Sequence, residues 1–122
     1  MTNNPHSYAE SFIAEDAVKI AARARGLELG AIDASHGTGA YLRHLAHLLN
    51  AQSVVEIGTG SGVGSLWILE GMINSGTLTS IDDEMEHTSI AKLAMADAEI
   101  SQSRYRFITN SVMDVMTKLT DR

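Results

Sequence analysis

Apolar positions recur with two different periods along this chain, and the change from one to the other divides it. Ile13, Ala17, Ile20, Ala21, Ala24 and Leu27 repeat at three- and four-residue intervals, which predicts an amphipathic helix that Gly30 can end. Ser7-Tyr8-Ala9-Glu10 has the spacing of a capping box, in which a hydroxyl and a carboxylate satisfy opposing backbone donors. Tyr41, Leu42, Leu45, Leu48 and Leu49 predict a second helix ending near Asn50, with Ala34-Ser35-His36-Gly37-Thr38-Gly39 as the loop between.

From Ser53 the pattern becomes strand-like. Ser53-Val54-Val55-Glu56-Ile57 is a short β-branched run closed by glycine, as expected of a buried parallel strand. Ser65-Leu66-Trp67-Ile68-Leu69 predicts a helix, and Leu78-Thr79-Ser80-Ile81, ending at Asp82-Asp83, a second strand. Residues 85–100 read as a helix with Ile90, Leu93, Ala94 and Ala98 on one side. Tyr105-Arg106-Phe107-Ile108-Thr109 is the third strand and residues 112–119 the last helix. Two helices followed by β-α-β-α-β-α predict an α/β fold with right-handed crossovers and a parallel sheet. One domain over 1–122 is expected, with a helical cap or dimer segment over 1–50 and a βαβαβα core over 51–122.

Composition narrows the function classes. The 122 residues are 44% hydrophobic and 20% charged, an ordinary globular balance for a single domain. Nine Lys and Arg against fifteen Asp and Glu give a net charge of −6, and Arg23, Arg25, Lys92, Arg104 and Arg106 are scattered among acids, so no nucleic-acid partner is expected. The absence of Cys removes disulfides, thiolate nucleophiles and Cys–zinc sites together. No run of eighteen apolar residues and a polar start over Met1–Tyr8 predict no membrane association and a cytoplasmic location.

The chemistry concentrates in Gly58-Thr59-Gly60-Ser61-Gly62-Val63-Gly64, four glycines at alternate positions where a strand turns into a helix. Glycine admits positive φ and close approach of a ligand, and the amides of the helix start are expected to be free to face it. Asp82 ends the next strand 20 residues beyond Gly62, where a carboxylate can accept from both hydroxyls of a ribose. The bland alternative is a tight βα turn with Asp82 capping the following helix. Glu56, two residues before Gly58, suits an ammonium group better than a pyrophosphate, which favours S-adenosylmethionine over a nicotinamide dinucleotide.

Val55-Glu56-Ile57-Gly58-Thr59-Gly60 with Gly62, then Leu78-Thr79-Ser80-Ile81-Asp82, resembles motifs I and II of class I methyltransferases. The upstream helices, the Ser35–Leu42 segment with Gly39 and Arg104-Tyr105-Arg106-Phe107-Ile108 narrow the resemblance to small O-methyltransferases of the catechol and caffeoyl-CoA type, actinobacterial branch, from about Glu10 onward. The resemblance implies a Rossmann-like doubly wound parallel sheet preceded by N-terminal helices, part of the class I methyltransferase fold. It implies that Glu56, Gly58, Thr59 and Gly60 line the methionine and ribose parts of S-adenosyl-L-methionine or S-adenosyl-L-homocysteine, that Asp82 binds the ribose, that Ala34 touches the cofactor and that Val112 flanks the adenine. Two departures stand out. Gly64 occupies a position where the family usually has Ser, with Ser65 as the available replacement, and Ser111 stands where many relatives have Asp.

The resemblance further implies methyl transfer to the hydroxyl of a small molecule, assisted by a divalent cation such as magnesium, in a homodimer. The family's metal-binding Asp, second acid, Asn and catalytic Lys fall beyond Asp121-Arg122. The chain is therefore expected to be a cofactor-binding piece of a longer enzyme, with no metal ligand or catalytic residue of its own and an unpaired sheet edge. Two other readings stay open: a nicotinamide-dependent oxidoreductase domain and a non-catalytic dimerisation module. His44 and His47 read as a solvated or partner-facing pair, the acids of Asp82-Asp83-Glu84 and Glu86 with His87 as helix-dipole partners, and Met85, Met95, Met113 and Met116 as core or interface filling. Trp67 and Tyr41 read as packing residues.

Overall fold

The N-terminal periodicity folds as two helices where one is expected. In the computed structural model, which describes residues 4–120, α1 (Pro5–Phe12) begins at Asn4, whose Oδ1 accepts the Ser7 amide at 2.7 Å. Asp16 starts α2 (Ala17–Glu28) by accepting the Lys19 amide at 2.9 Å. Such caps satisfy donors that the first helical turn leaves unbonded. The expected capping box does not form. Ser7 lies inside α1, and Glu10 reaches out to accept the Gly37 amide of α3 (His36–Leu48). α3 starts earlier than expected because the Ser35 hydroxyl accepts the Thr38 amide, so residues 36–39 are helix, not loop. Residues 1–3 of the polar start and the terminal Asp121-Arg122 lie outside the described residues.

The buried face of α2 is displaced as well. Lys19, Ala22 and Gly26 point inward, whereas Ile20 and Leu27 are exposed, Leu27 at 73%. Partner chemistry explains the choice. Lys19 pairs with Asp16 at 3.1 Å and with Glu70, and its ammonium lies 4.4 Å from the centroid of the Trp67 ring. A matched cation over an aromatic face tolerates burial that an unpaired one would not.

The parallel sheet has the order β1-β2-β3, formed by β1 (Ser53–Ile57), β2 (Thr77–Asp82) and β3 (Tyr105–Thr109). Ile57 stands opposite Ile81 and Asp82 opposite Thr109, so the C-terminal ends of the strands lie side by side. α4 (Val63–Gly71) and α5 (Met85–Asp97) connect the strands and pack on β2 and on each other, while α6 (Val112–Thr120) follows β3. Right-handed crossovers stepping in one direction place α4 and α5 on the same face. The expected α/β class is observed, with no reversal of strand order among the described residues.

α4 is the centre of the core: from Val63 to Gly71 only Glu70 is exposed, and Trp67 and Leu69 are almost wholly buried with Leu78, Ile81 and Met95. β1 is not the buried strand that its composition predicts. It pairs with β2 alone, and Val55 and Ile57 are 44% and 51% exposed, because strand burial comes from neighbours and not from β-branching. In α5 the inward residues are Thr88, Ala91, Ala94 and Met95, with Leu93 outside. Of the four methionines expected to fill core or interface, only Met95 is buried, and Tyr41 is exposed whereas Trp67 packs as expected. No helix among the described residues is long and apolar enough to cross a membrane.

The helices reach the core through Trp67. Its indole N–H donates to Glu15 Oε2 at 3.0 Å, and Glu15 also accepts Arg23 at 2.8–2.9 Å and lies 2.9 Å from His36 Nε2. α3 approaches α4 closely because Gly39 has no side chain: a Cβ there would run into the indole ring. Gly39→Ala is expected to cost about 1–3 kcal/mol of stability through overpacking, as read from the urea midpoint. An unchanged midpoint would show that the ring moves aside freely.

Candidate functional site

Three of the alternate glycines take positive φ: +88° at Gly58, +56° at Gly60 and +94° at Gly62. At Gly60 space is short as well, since a Cβ would stand 2.5 Å from Asp33 Oδ1. Gly64 is ordinary helix and serves by leaving room, because a Cβ there would lie 2.7 Å from Glu56 Oε2. Four amides of the loop have acceptors within the chain. Gly58 N–H donates to Ile81 O at 2.8 Å, Gly60 N–H to Asp82 Oδ2 at 3.0 Å, Ser61 N–H to Asp33 Oδ1 at 2.9 Å and Gly62 N–H to Thr59 O at 3.1 Å. The expectation of free amides is thus corrected for these four residues, and not for the first amides of α4, which no side chain caps. A buried amide without a partner is costly, and two carboxylates outside the loop are close enough to supply one.

Glu56, the last but one residue of β1, has Oε1 accepting from Ser65 Oγ and Ser80 Oγ, each at 2.6 Å, and Ser80 Oγ is 2.7 Å from Thr59 Oγ1. Burial pushes the Glu56 carboxyl above its ordinary range; Asp33 and Asp82 push the same way, and the two hydroxyls only partly oppose them. Ser65 is fully buried and donates its hydroxyl to Glu56.

Asp82 is 6% exposed at the end of β2. Its Oδ1 accepts the Glu84 amide at 2.9 Å, while Oδ2 accepts the Gly60 amide and lies 3.3 Å from His87 Nδ1. Burial raises this carboxyl, but the Glu84 and Gly60 amides and the His87 ring outweigh it and hold it below the ordinary aspartate value. Asp82 therefore both shapes the turn into α5 and grips the loop. A carboxylate has about four acceptor positions, so capacity remains beyond these three partners.

Two adjacent hollows sharing Ile32, Ile57 and Gly58 flank the loop. The larger, about 500 Å³, is lined by Ala34, Glu56, Gly58, Thr59 and Gly64 among others, and extends along the open edge of β1 under Leu42, Leu45 and Leu49. The smaller, about 290 Å³, is lined by Gly58, Gly60, Asp82 and Val112 with Asp83 and His87. All eight residues expected from the sequence thus surround one continuous stretch of loop. Ser111 is exposed and outside both linings. The charged side chains of the two linings are Asp33, Glu56, Asp82 and Asp83, with His87 the titratable base and no Lys or Arg. His44 and His47 are exposed on α3, and no cluster of three or more His, Cys, Asp or Glu able to hold a metal occurs among the described residues.

A family model for O-methyltransferases matches residues 4–122. The chain belongs to that O-methyltransferase family. It is 47% identical over 115 residues to a protein of Mycobacterium sp. (strain KMS) named as an O-methyltransferase, covering 94% of this chain and 52% of the relative. A solved Corynebacterium glutamicum protein matches with a TM-score of 0.83 and 34% identity, over 93% of this chain and 54% of that one. The Streptomyces achromogenes O-methyltransferase TomG, solved in complex with SAM, matches with a TM-score of 0.86 over 100% of this chain and 57% of that one; at 23% identity this likeness concerns the fold alone. The chain spans about half the length of the curated relatives it matches.

Sequence reasoning about this chain missed Asp33 and Ile32. Both lie in an aperiodic segment before α3 with no motif, and only the fold brings them to the loop, where Ile32 stands 97% exposed between the hollows. The Glu56 environment has a measurable consequence. The folded chain holds this proton more tightly than the unfolded one, so the charged form costs stability once pH rises above the ordinary glutamate value of 4.5. Glu56→Gln is expected to equal or exceed the wild-type Tm near pH 8, with the advantage fading toward pH 4. A Tm deficit that grows with pH would contradict this.

Proposed function

We propose that this chain forms the S-adenosylmethionine-holding part of a cytoplasmic O-methyltransferase that methylates a hydroxyl of a small molecule. The observation that carries the reading is a lining with four acids and no Lys or Arg, around a glycine loop in which four amides already have partners. A nicotinamide dinucleotide asks such a loop to hold a pyrophosphate on unbonded N–H groups. Here Gly58, Gly60, Ser61 and Gly62 have none to give, and the nearest side chains repel phosphate.

S-adenosylmethionine, when bound, supplies an electrophilic methyl group on a positively charged sulfur. Glu56 and Asp33 offer negative charge to the cationic end, with Gly64 and Ala34 leaving room beside them. Asp82 accepts from the ribose hydroxyls with its remaining lone pairs, stays ionised through its amide partners, and holds the loop at the same time. Val112 and Ile32 give the base apolar walls. Fixing the donor so that its methyl faces an incoming oxygen accelerates transfer by orientation. A divalent cation assisting the acceptor hydroxyl belongs to the same proposal; no residue of this chain is assigned to it.

Titration calorimetry with S-adenosylmethionine tests the reading. Asp82→Ala is expected to lower affinity at least tenfold, and unchanged affinity would remove the ribose role. A ligand-free melt of the variant separates lost binding from lost folding, since the same carboxylate holds Gly60 and Glu84. Binding of NADH without S-adenosylmethionine would favour the oxidoreductase reading, and binding of neither the non-catalytic module.

We further propose a homodimer joined through apolar residues that the N-terminal helices leave outside, including Tyr8, Phe12, Ile20 and Leu27. Sedimentation equilibrium is expected to give twice the mass of the 122-residue chain, and a monomer at micromolar concentration would overturn the assembly.

A further inference from the structure

Asp33 is the one carboxylate that joins the segment before α3 to the glycine loop. Its Oδ1 accepts the Ser61 amide at 2.9 Å and its Oδ2 the Ser61 hydroxyl at 2.6 Å. Two glycines make the space for it: a Cβ on Gly60 would lie 2.5 Å from Oδ1, and a Cβ on Gly26 2.5 Å from Oδ2. The segment carrying it is held from behind, with Arg23 Nη2 donating to Ala34 O at 2.6 Å while its guanidinium is paired to Glu15. Asp33 lines the larger hollow with Glu56, and no Lys or Arg lines either hollow to offset them. Both its oxygens have protein partners, so a ligand meets its charge without needing its hydrogen bonds.

We infer that Asp33 is a specificity-determining and positioning residue that makes the site discriminate by ligand charge, favouring the sulfonium donor over its neutral thioether by-product. The inference rests on the proposed function. The two ligands differ by one methyl and one positive charge at sulfur, so a carboxylate beside the site, facing an Arg23 guanidinium that is itself paired to Glu15, raises affinity for the first and leaves the second nearly unaffected. A product that leaves more readily than the donor binds is the consequence for turnover. The same carboxylate holds the Ser61 amide and so withholds it from phosphate.

Charge and position are separable here. Asp33→Asn keeps an oxygen for the Ser61 amide and an NH2 group for the Ser61 hydroxyl but removes the charge. Ser61→Ala keeps the charge and loosens the clasp. Calorimetry with S-adenosylmethionine and S-adenosylhomocysteine on the wild-type chain and both variants decides. D33N is expected to weaken the donor about threefold to tenfold and shift the by-product by less than twofold, whereas S61A weakens both in equal proportion. A D33N chain with the wild-type affinity ratio overturns the inference and leaves the proposed function standing. A wild-type chain that binds neither ligand overturns the proposed function and the inference with it.

Discussion

The glycine loop is held by two carboxylates on adjacent amides, Asp82 on Gly60 and Asp33 on Ser61, and the rest of the site follows from that grip. Each acid comes from a different part of the chain, one from the end of β2 and one from the segment before α3. The loop is therefore the place where helical and sheet regions are fastened together. Because four donors of the loop are bonded before any ligand arrives, much of its shape does not depend on one, and binding has less backbone order left to impose. The arrangement also fixes the sign of the field: acids that stabilise the turn are the acids that surround the hollows.

Stability and recognition pull in opposite directions at Glu56. Its burial favours the neutral form, while attraction of a cation needs the charged one. Hydroxyls from Ser65 and Ser80 moderate the conflict, and Gly64 leaves space beside Oε2 that a Cβ would take. Asp82 is the opposite case, since its amide partners keep it ionised even though it is nearly buried. Two carboxylates at neighbouring strand ends thus acquire different proton affinities from their surroundings alone.

Much of this was legible in the chain itself, and the failures share a cause. The three strands, the loop and Asp82 were readable because strand period, glycine spacing and the acid beyond the second strand are local signals. The inward face of α2 was not, because burial of Lys19 depends on Trp67 and Glu70 being brought to it. β1 looked like an interior strand because its Val and Ile report a preference for sheet, not the number of neighbours it has. Asp33 was invisible for the same reason as Lys19: its partner Ser61 lies 28 residues away. The partners of the Gly58, Gly60, Ser61 and Gly62 amides were not legible because glycine content signals where a backbone can turn, and says nothing of which groups fill its donors.

The lone tryptophan has a bearing on how the chain comes apart. Lys19 and Arg43 lie over its ring, from α2 and α3, and Glu15, between α1 and α2, accepts its N–H. Lifting α2 away takes Arg23 from the buried carboxylate of Glu15 and Lys19 from Glu70, a larger penalty than the local contacts would suggest. Separation of α2 from the rest of the chain is thereby discouraged, because one side chain of α4 is shared between that helix and the buried core.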